Sequence, residues 1–188
     1  MSLSPGLRIL AAAAFALLAL AAPASAARDT FSKNEIVQAA SGFFGTTSAA
    51  VAAAVERAFR DYGEPNAYIK GEEGSAALVV GARYGSGMLA RKGHGERKIY
   101  WQGPSVGFDV GANASKCFTL VYNLPDEDAI FQRFPGVEGS YYFIAGIGVN
   151  YQQVDNIILV PMRTGVGVRA GVNAGYLSYT RKRDILPF

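Results

Sequence analysis

The sequence contains few of the residues that usually carry chemistry: one cysteine, one histidine and one tryptophan in 188 residues. The lone cysteine, Cys117, excludes an internal disulfide, so the fold must be stable on its hydrophobic core alone. The lone histidine, His94, has no cluster of other metal ligands beside it in the sequence, which argues against a zinc or iron site. We therefore predict no catalytic residues, no metal and no cofactor, and a protein that is not an enzyme.

The remaining catalytic patterns are weak. A nucleophilic pair of Cys117 and His94 needs the two side chains in contact, yet Cys117 lies in an apolar strand-like run and His94 between two glycines. The acidic residues at 72–73 and 126–128 are better explained by a glycine-flanked turn and by the start of a helix. The glycine pattern at 165–171 departs from the dinucleotide-binding fingerprint and lies in strand-like sequence.

Strong charge is also absent. The chain has 18 basic and 15 acidic residues, whereas a nucleic-acid binder is normally strongly basic with clustered Lys and Arg. We expect no nucleic-acid partner. The short basic run Arg181, Lys182 and Arg183 is a candidate contact for anionic lipid headgroups, and a solvated terminus is the alternative.

Long apolar runs are absent outside the N terminus. Arg8 precedes the apolar run 9–22, and the sequence PASA at 23–26 ends that run with a small-x-small cleavage site, which is the order of a secretory signal. The run is shorter than the roughly 20 residues that span a bilayer. We predict a signal peptide over 1–26, cleavage before Ala27 and a periplasmic protein.

Helical periodicity follows the signal. Ser32 and Glu35 form a capping-box pattern, apolar residues then recur every three or four positions, and Gly63 and Pro65 end the pattern. We predict a helical pair over 32–62.

Beyond Pro65, apolar residues alternate with polar residues or glycine, which is typical of strands with one buried face. The predicted strands are 66–71, 75–82, 86–92, 97–102, 105–112, 116–123, 140–151, 154–161 and 164–179. Glycines inside these strands favour the bends of a small barrel. We predict a mainly β fold: an antiparallel β-barrel of about eight strands over 66–188, with a helical segment at 27–65 packed on it and a helical interruption at 126–134.

A membrane-embedded barrel is the less favoured alternative. Stepping back by two from Phe188 gives Leu186, Asp184 and Lys182, which is not the apolar row that faces lipid in such barrels.

The aromatic residues suggest a binding surface. We assign a candidate ligand or partner surface at a predicted corner between strands, composed of Trp101, Gln102, Pro104, Tyr84 and Tyr100. Such a cluster suits an apolar or glycan ligand. The alternative is that these side chains fill the core.

Four sequence blocks resemble a known family: YIKGEEG at 68–74, VVGARYG at 79–85, WQGPSVGFD at 101–109 and LVYNL at 120–124. They are similar to the periplasmic envelope-integrity proteins of Gram-negative bacteria called EipA. The resemblance extends over essentially the whole mature chain. It implies a soluble periplasmic protein with a small eight-stranded barrel, a role in keeping the cell envelope intact, and no catalytic residues to transfer.

The glycine-rich strands around the WQGPS corner at 101–105 and the hydrophobic strand at 118–124 are also similar, over about half of the chain, to SYLF-type lipid-binding domains. This more distant similarity favours phospholipid contact. We therefore expect a non-catalytic periplasmic protein that supports envelope integrity and resistance to envelope stress. Its partner would be an envelope component, in the outer membrane, lipopolysaccharide or cell wall. The alternative is a binder or carrier of phospholipid or another apolar envelope molecule, with peripheral membrane contact. A barrel interior packed with side chains would argue against a carrier.

Overall fold

The structure is a computed structural model, and it describes residues 29–45, 48–77, 80–106, 115–164 and 175–184. The predicted signal peptide lies outside these residues. Most residues of the predicted strands 105–112 and 164–179 also lie outside the described residues.

Two helices open the described chain, α1 (Lys33–Phe44) and α2 (Ser48–Tyr62). The Ser32 hydroxyl accepts the Glu35 N–H, and the Glu35 carboxylate accepts the Ser32 N–H at 2.9 Å, so the capping box is formed. Gly45 ends α1 with φ +67°, and Gly63 follows α2 with φ +77°; both glycines occupy the left-handed region that suits a C-cap. The predicted helical pair is confirmed.

Ten strands follow: β1 (Ala67–Ala77), β2 (Val80–Arg91), β3 (Glu96–Val106), β4 (Ser115–Tyr122), β5 (Arg133–Pro135), β6 (Tyr142–Ile144), β7 (Ile147–Val149), β8 (Gln152–Val154), β9 (Ile157–Thr164) and β10 (Tyr176–Thr180). They form one antiparallel sheet in the order β5-β10-β3-β2-β1-β4-β9-β7-β6, and β8 also pairs with β9. A 3-10 turn, Asp128–Ile130, precedes β5.

The sheet curls into a barrel-like shape. A bridge between Gly136 and Gln152 links the chain after β5 to β8, and the Val137 N–H donates to the Tyr151 carbonyl at 2.9 Å. Pairing therefore passes through eight strands and returns to its starting strand: β5, β10, β3, β2, β1, β4, β9 and β8. The predicted mainly β barrel with an N-terminal helical pair is confirmed.

Several predicted boundaries were wrong. The glycine-flanked turn expected at 72–74 does not exist, because β1 runs unbroken through these residues and pairs with β2 along its length. Likewise, β3 continues from Glu96 to Val106, where two strands were expected to begin and end.

Two other elements differ from the prediction. Positive φ angles at Ala145 (+50°) and Gly146 (+86°) break the predicted strand 140–151 into the β6–β7 hairpin. The helix expected over 126–134 is one 3-10 turn, in which the Asp126 carboxylate accepts the N–H groups of Asp128 and Ala129.

The two faces of the sheet bury different cores. The outer core lies between the helices and one face and includes Ile36, Val51, Val55, Phe118, Leu120, Tyr122, Val160 and Met162. The inner core fills the concave side and includes Ile69, Leu89, Ile99, Trp101, Cys117, Val121, Phe134, Leu159, Leu177 and Tyr179. Alternate residues of β4 and β9 contribute to both cores, as the two-residue period of a strand requires.

Candidate functional site

A buried ionic network lies at one end of the inner core. Glu73 of β1 is only 5% exposed, and its carboxylate lies 2.5 Å from Nε of Arg163 and 3.7 Å from Nε of Arg83. The Arg163 guanidinium also donates to the Asn150 side-chain oxygen at 2.7 Å. These residues come from β1, β2, β9 and the segment after β7, so the network joins strands distant in sequence.

This environment keeps Glu73 ionised. Burial by itself would raise its pKa, but the nearby charges of Arg163 and Arg83, with hydrogen bonds from Arg163 and Trp101, lower the pKa to about 2. Burial also acts against the charge of Arg163, whose pKa the Glu73 carboxylate nevertheless raises. The network is therefore charged at neutral pH.

Trp101 extends this network across the inner face of strands β1 and β2. Its indole N–H donates to the Glu73 carboxylate at 3.0 Å, and its side chain is 3% exposed. A Cβ atom placed on Gly85 would lie 2.0 Å from the indole Cε2, and one on Gly71 would lie 2.8 Å from Cη2. The indole thus occupies the space that side chains at these two strand positions would need, and the glycines permit it to lie flat on the sheet.

A cavity of about 150 Å³ opens to solvent beside Trp101. Strands β1, β2 and β3 form its floor, and the chain after β10 forms part of its wall. The residues that matter chemically are Glu72, Tyr84, Ser86, Tyr100, Gln102 and Arg183. Tyr84 and Tyr100 are half-buried, whereas Glu72 and Arg183 are exposed.

The structure brings together four of the five residues of the predicted aromatic surface. Tyr84, Tyr100, Trp101 and Gln102 all line the cavity. Pro104 does not belong to this lining; its ring lies instead against Gly175 at the start of β10.

The three residues of the predicted basic run lie in different surroundings. Arg183 lines the same cavity. Arg181 instead pairs with Asp128 at 2.9 Å, and its guanidinium lies 4.4 Å from the centre of the Phe131 ring. Lys182 is exposed. The three basic residues therefore do not form one continuous patch.

Sequence reasoning missed Glu73, Arg83 and Arg163. A signal was present, because each occupies the inward phase of a strand: Glu73 follows Ile69 at a separation of four, and Arg163 follows Leu159 likewise. A charged residue in register with core positions indicates a buried ionic network. Because residues 72–73 were predicted to form a turn, the inward orientation of Glu73 in a strand was not considered.

Cys117 and His94 lie far apart. Cys117 pairs with Gly71 across β1 and β4, whereas His94 lies in the exposed turn between β2 and β3, beyond the Ala67–Arg91 pair. Four strand residues, or about 13 Å, separate those two levels of the sheet. Cys117 is buried, and burial raises its thiol pKa to about 11. These two side chains form no nucleophilic pair.

Within the described ranges, no group of three or more His, Cys, Asp and Glu side chains is arranged to hold a metal ion. The described helices are also too short or too polar to cross a lipid bilayer.

Residues 29–188 match the family described as envelope integrity protein A. Among solved structures, the chain is similar to a crystal structure of a beta-barrel-like, uncharacterised protein from Brucella abortus: the two are 48% identical, the alignment covers 86% of this chain and 100% of that chain, and the TM-score is 0.78. No curated protein matches the chain. The family match includes every described residue and bears out the resemblance seen in the four sequence blocks, so the chain belongs to the envelope integrity protein A family.

Proposed function

We propose that this protein is exported to the periplasm and there supports the integrity and stress resistance of the cell envelope by binding rather than by catalysis. The observation that carries the proposal is the match to the envelope integrity protein A family over residues 29–188. That range begins just after the predicted signal peptide.

The state of the buried polar groups supports a non-catalytic role. A general acid or base works best with a pKa near the operating pH, but the pKa of Glu73 is lowered to about 2 and that of Cys117 is raised to about 11. The Glu73 carboxylate is also engaged by two arginines and an indole N–H. These groups stabilise the barrel and are poorly suited to transfer protons.

The inner core is filled by side chains, which argues against the alternative of a phospholipid carrier. Side chains from β1, β2, β3, β4, β5, β9 and β10 occupy the concave side of the described sheet. Pockets that enclose drug-sized ligands measure about 300–1,000 Å³, and the cavity beside Trp101 is smaller, at about 150 Å³. This favours a protein that binds an envelope component at its surface over one that encloses a whole acyl chain there.

Complementation tests the proposed function. A Gram-negative strain lacking its own copy of this protein is challenged with detergent or a chelator, and we expect the wild-type chain to restore survival. The double variant Cys117→Ser, His94→Ala should restore survival equally. Failure of the wild type would contradict the envelope role, and failure of only a stably folded double variant would contradict the non-catalytic role.

Contact with a phospholipid surface is the second candidate, favoured by the β6–β7 hairpin. Tyr141 and Phe143 are 38% and 47% exposed and meet edge to face, with ring centres 5.0 Å apart. Aromatic side chains favour the boundary between lipid and water. Cosedimentation with phosphatidylglycerol vesicles tests this candidate: Phe143→Ser should weaken it, and Lys182→Ala tests the basic run separately. If the wild type does not cosediment, lipid contact through the β6–β7 hairpin and through the basic run are both excluded.

A further inference from the structure

We propose that the cavity beside Trp101 binds one sugar ring of an envelope glycan. The proposal rests on the proposed function for the source of the sugar, but the site itself is argued from its size, its polar groups and its aromatic rings.

The size of the cavity selects a small ring. A buried cavity of about 150 Å³ holds a molecule the size of benzene, and this cavity has that volume and also opens to solvent. One six-membered ring can enter while its substituents extend outward. A folded peptide segment is too large for the same space, and an acyl chain would place its CH₂ groups against the charged and hydroxyl groups of the lining.

The polar lining suits a neutral polyol. Glu72 offers carboxylate acceptors, Arg183 offers guanidinium donors, and the Ser86 hydroxyl can do both. Each sugar hydroxyl likewise donates one hydrogen bond and accepts others. Asp184 also lines the cavity. A phosphate would therefore face the carboxylates of Glu72 and Asp184, and an ammonium group would face Arg183, so charged ligands of either sign are disfavoured.

Two tyrosines flank this lining. Tyr84 pairs with Gln102 and Ser86 pairs with Tyr100 across β2 and β3, so the two rings are diagonal neighbours on one face, within reach of a common ligand. The face of an aromatic ring is electronegative and attracts the positively polarised C–H groups of a sugar. The Lys98 ammonium lies 5.6 Å from the centre of the Tyr100 ring, and the test uses the Tyr84 ring.

The floor of the cavity, formed by strands β1, β2 and β3, is held in place before any ligand binds. On the opposite face of these strands from Tyr84 and Tyr100, the Trp101 indole is fixed by its hydrogen bond to Glu73 and by its contact with Gly85. A preorganised wall reduces the entropy lost on binding. Because Trp101 is the one tryptophan of the chain, its fluorescence reports on the strands that form the floor of this site.

The test uses the purified chain from Ala27 to Phe188. Two probes distinguish the source of the sugar: a disaccharide muropeptide from cell wall, and the core oligosaccharide released from lipopolysaccharide. Binding is measured by saturation-transfer NMR and by Trp101 fluorescence. We expect one probe to bind saturably, and Tyr84→Ala and Glu72→Gln each to weaken it about tenfold or more, as loss of one good contact predicts.

The controls keep this proposal separate from the proposed function. Phe143→Ser, at a residue that does not line the cavity, should leave sugar binding unchanged, and the exposed Glu72→Gln remains informative if Tyr84→Ala fails to fold. The proposal is overturned if neither probe binds saturably, or if Phe143→Ser weakens binding as much as Glu72→Gln does. If neither sugar binds but the wild type complements the deletion strain, the sugar site is refuted and the envelope role stands. If a sugar binds but the wild type does not complement the strain, only the envelope role is refuted.

Discussion

Glu73 is the residue around which the buried ionic network at one end of the inner core is arranged. A carboxylate in this position would be strongly unfavourable without partners, because burial removes its hydration. Arg163, Arg83 and Trp101 supply those partners from three other strands. The network therefore fixes which strands meet at this level of the barrel, as well as the ionisation of its members.

Substitution of Glu73 should be strongly destabilising. Glu73→Gln leaves two largely buried guanidiniums without their carboxylate, and removing one partner of a buried ion pair typically costs about 3–5 kcal/mol. The matched control is Glu72→Gln, one residue along β1 but exposed, for which we expect a change within about 0.5 kcal/mol. Urea unfolding measures both free energies. Equal effects of the two variants would show that the network does not stabilise the fold.

The same carboxylate makes stability depend on pH in the acid range. The pKa of Glu73 is about 2 in the folded chain and near 4.3 when unfolded, so its stabilisation is complete above about pH 4.3 and is lost as the pH falls towards 2. Melting temperatures of the wild type and Glu73→Gln should differ most near pH 6 and converge towards pH 2.5. Parallel curves across this range would contradict the lowered pKa.

Gly85 should not tolerate a methyl group. In Gly85→Ala the new Cβ would lie 2.0 Å from the Trp101 indole, so the ring must move, and overpacking of this kind costs about 1–3 kcal/mol. Gly74→Ala is the control, since nothing lies within 4 Å of a Cβ there. We expect Gly85→Ala to lower the melting temperature and change Trp101 emission, with little effect of Gly74→Ala. An unchanged emission spectrum in Gly85→Ala would argue against this placement of the indole.

At the scale of elements, helix α1 is attached to the sheet at its C terminus. α1 has no basic residue in its own last turn, but Lys116 of β4 donates to the carbonyls of Phe43 at 2.8 Å and Phe44 at 3.4 Å. A positive charge at this end of a helix is stabilising. The strand thus provides the C-terminal charge that the helix lacks.

Removal of this charge should loosen the attachment. Lys116→Met should lower the free energy of unfolding by about 1 kcal/mol, within the range for charges at helix ends. Lys33→Met, at the opposite end of α1, removes an equal charge from the positive end of the helix dipole and should be neutral or slightly stabilising. Denaturant titrations of the two variants check the difference. A greater loss in Lys33→Met would contradict this assignment.

The elements that could be predicted are those with local signals. α1 needed only its capping box and its apolar period, and it begins directly after Ser32, where the capping box predicted its N terminus. The β1 boundary failed because Gly71 and Gly74 were interpreted as turn residues, whereas Gly71 accommodates an indole 30 residues further along the chain. Tyr84 and Tyr100 were assigned to one surface, but Arg183 was not, because only the path of the chain after β10 brings it there.

At the scale of the whole molecule, the two cores are not independent. β4 sends Phe118 and Leu120 to the outer core and Cys117 and Val121 to the inner core. β9 divides its residues in the same way. Loss of either strand would remove one wall from both cores at once, so neither core can remain packed after the other has opened.

Unfolding should therefore occur in a single transition. Trp101 fluorescence reports on the inner core, and far-ultraviolet circular dichroism at 222 nm is dominated by helices α1 and α2, which cover the outer core. The two signals should give the same denaturant midpoint, as two-state unfolding requires. Ile36→Val in the outer core, a change that typically costs about 0.5–1.5 kcal/mol, should shift both midpoints equally. If this variant moved only the dichroism transition, the helices would be a separately unfolding layer, and the shared strands would not couple the two cores.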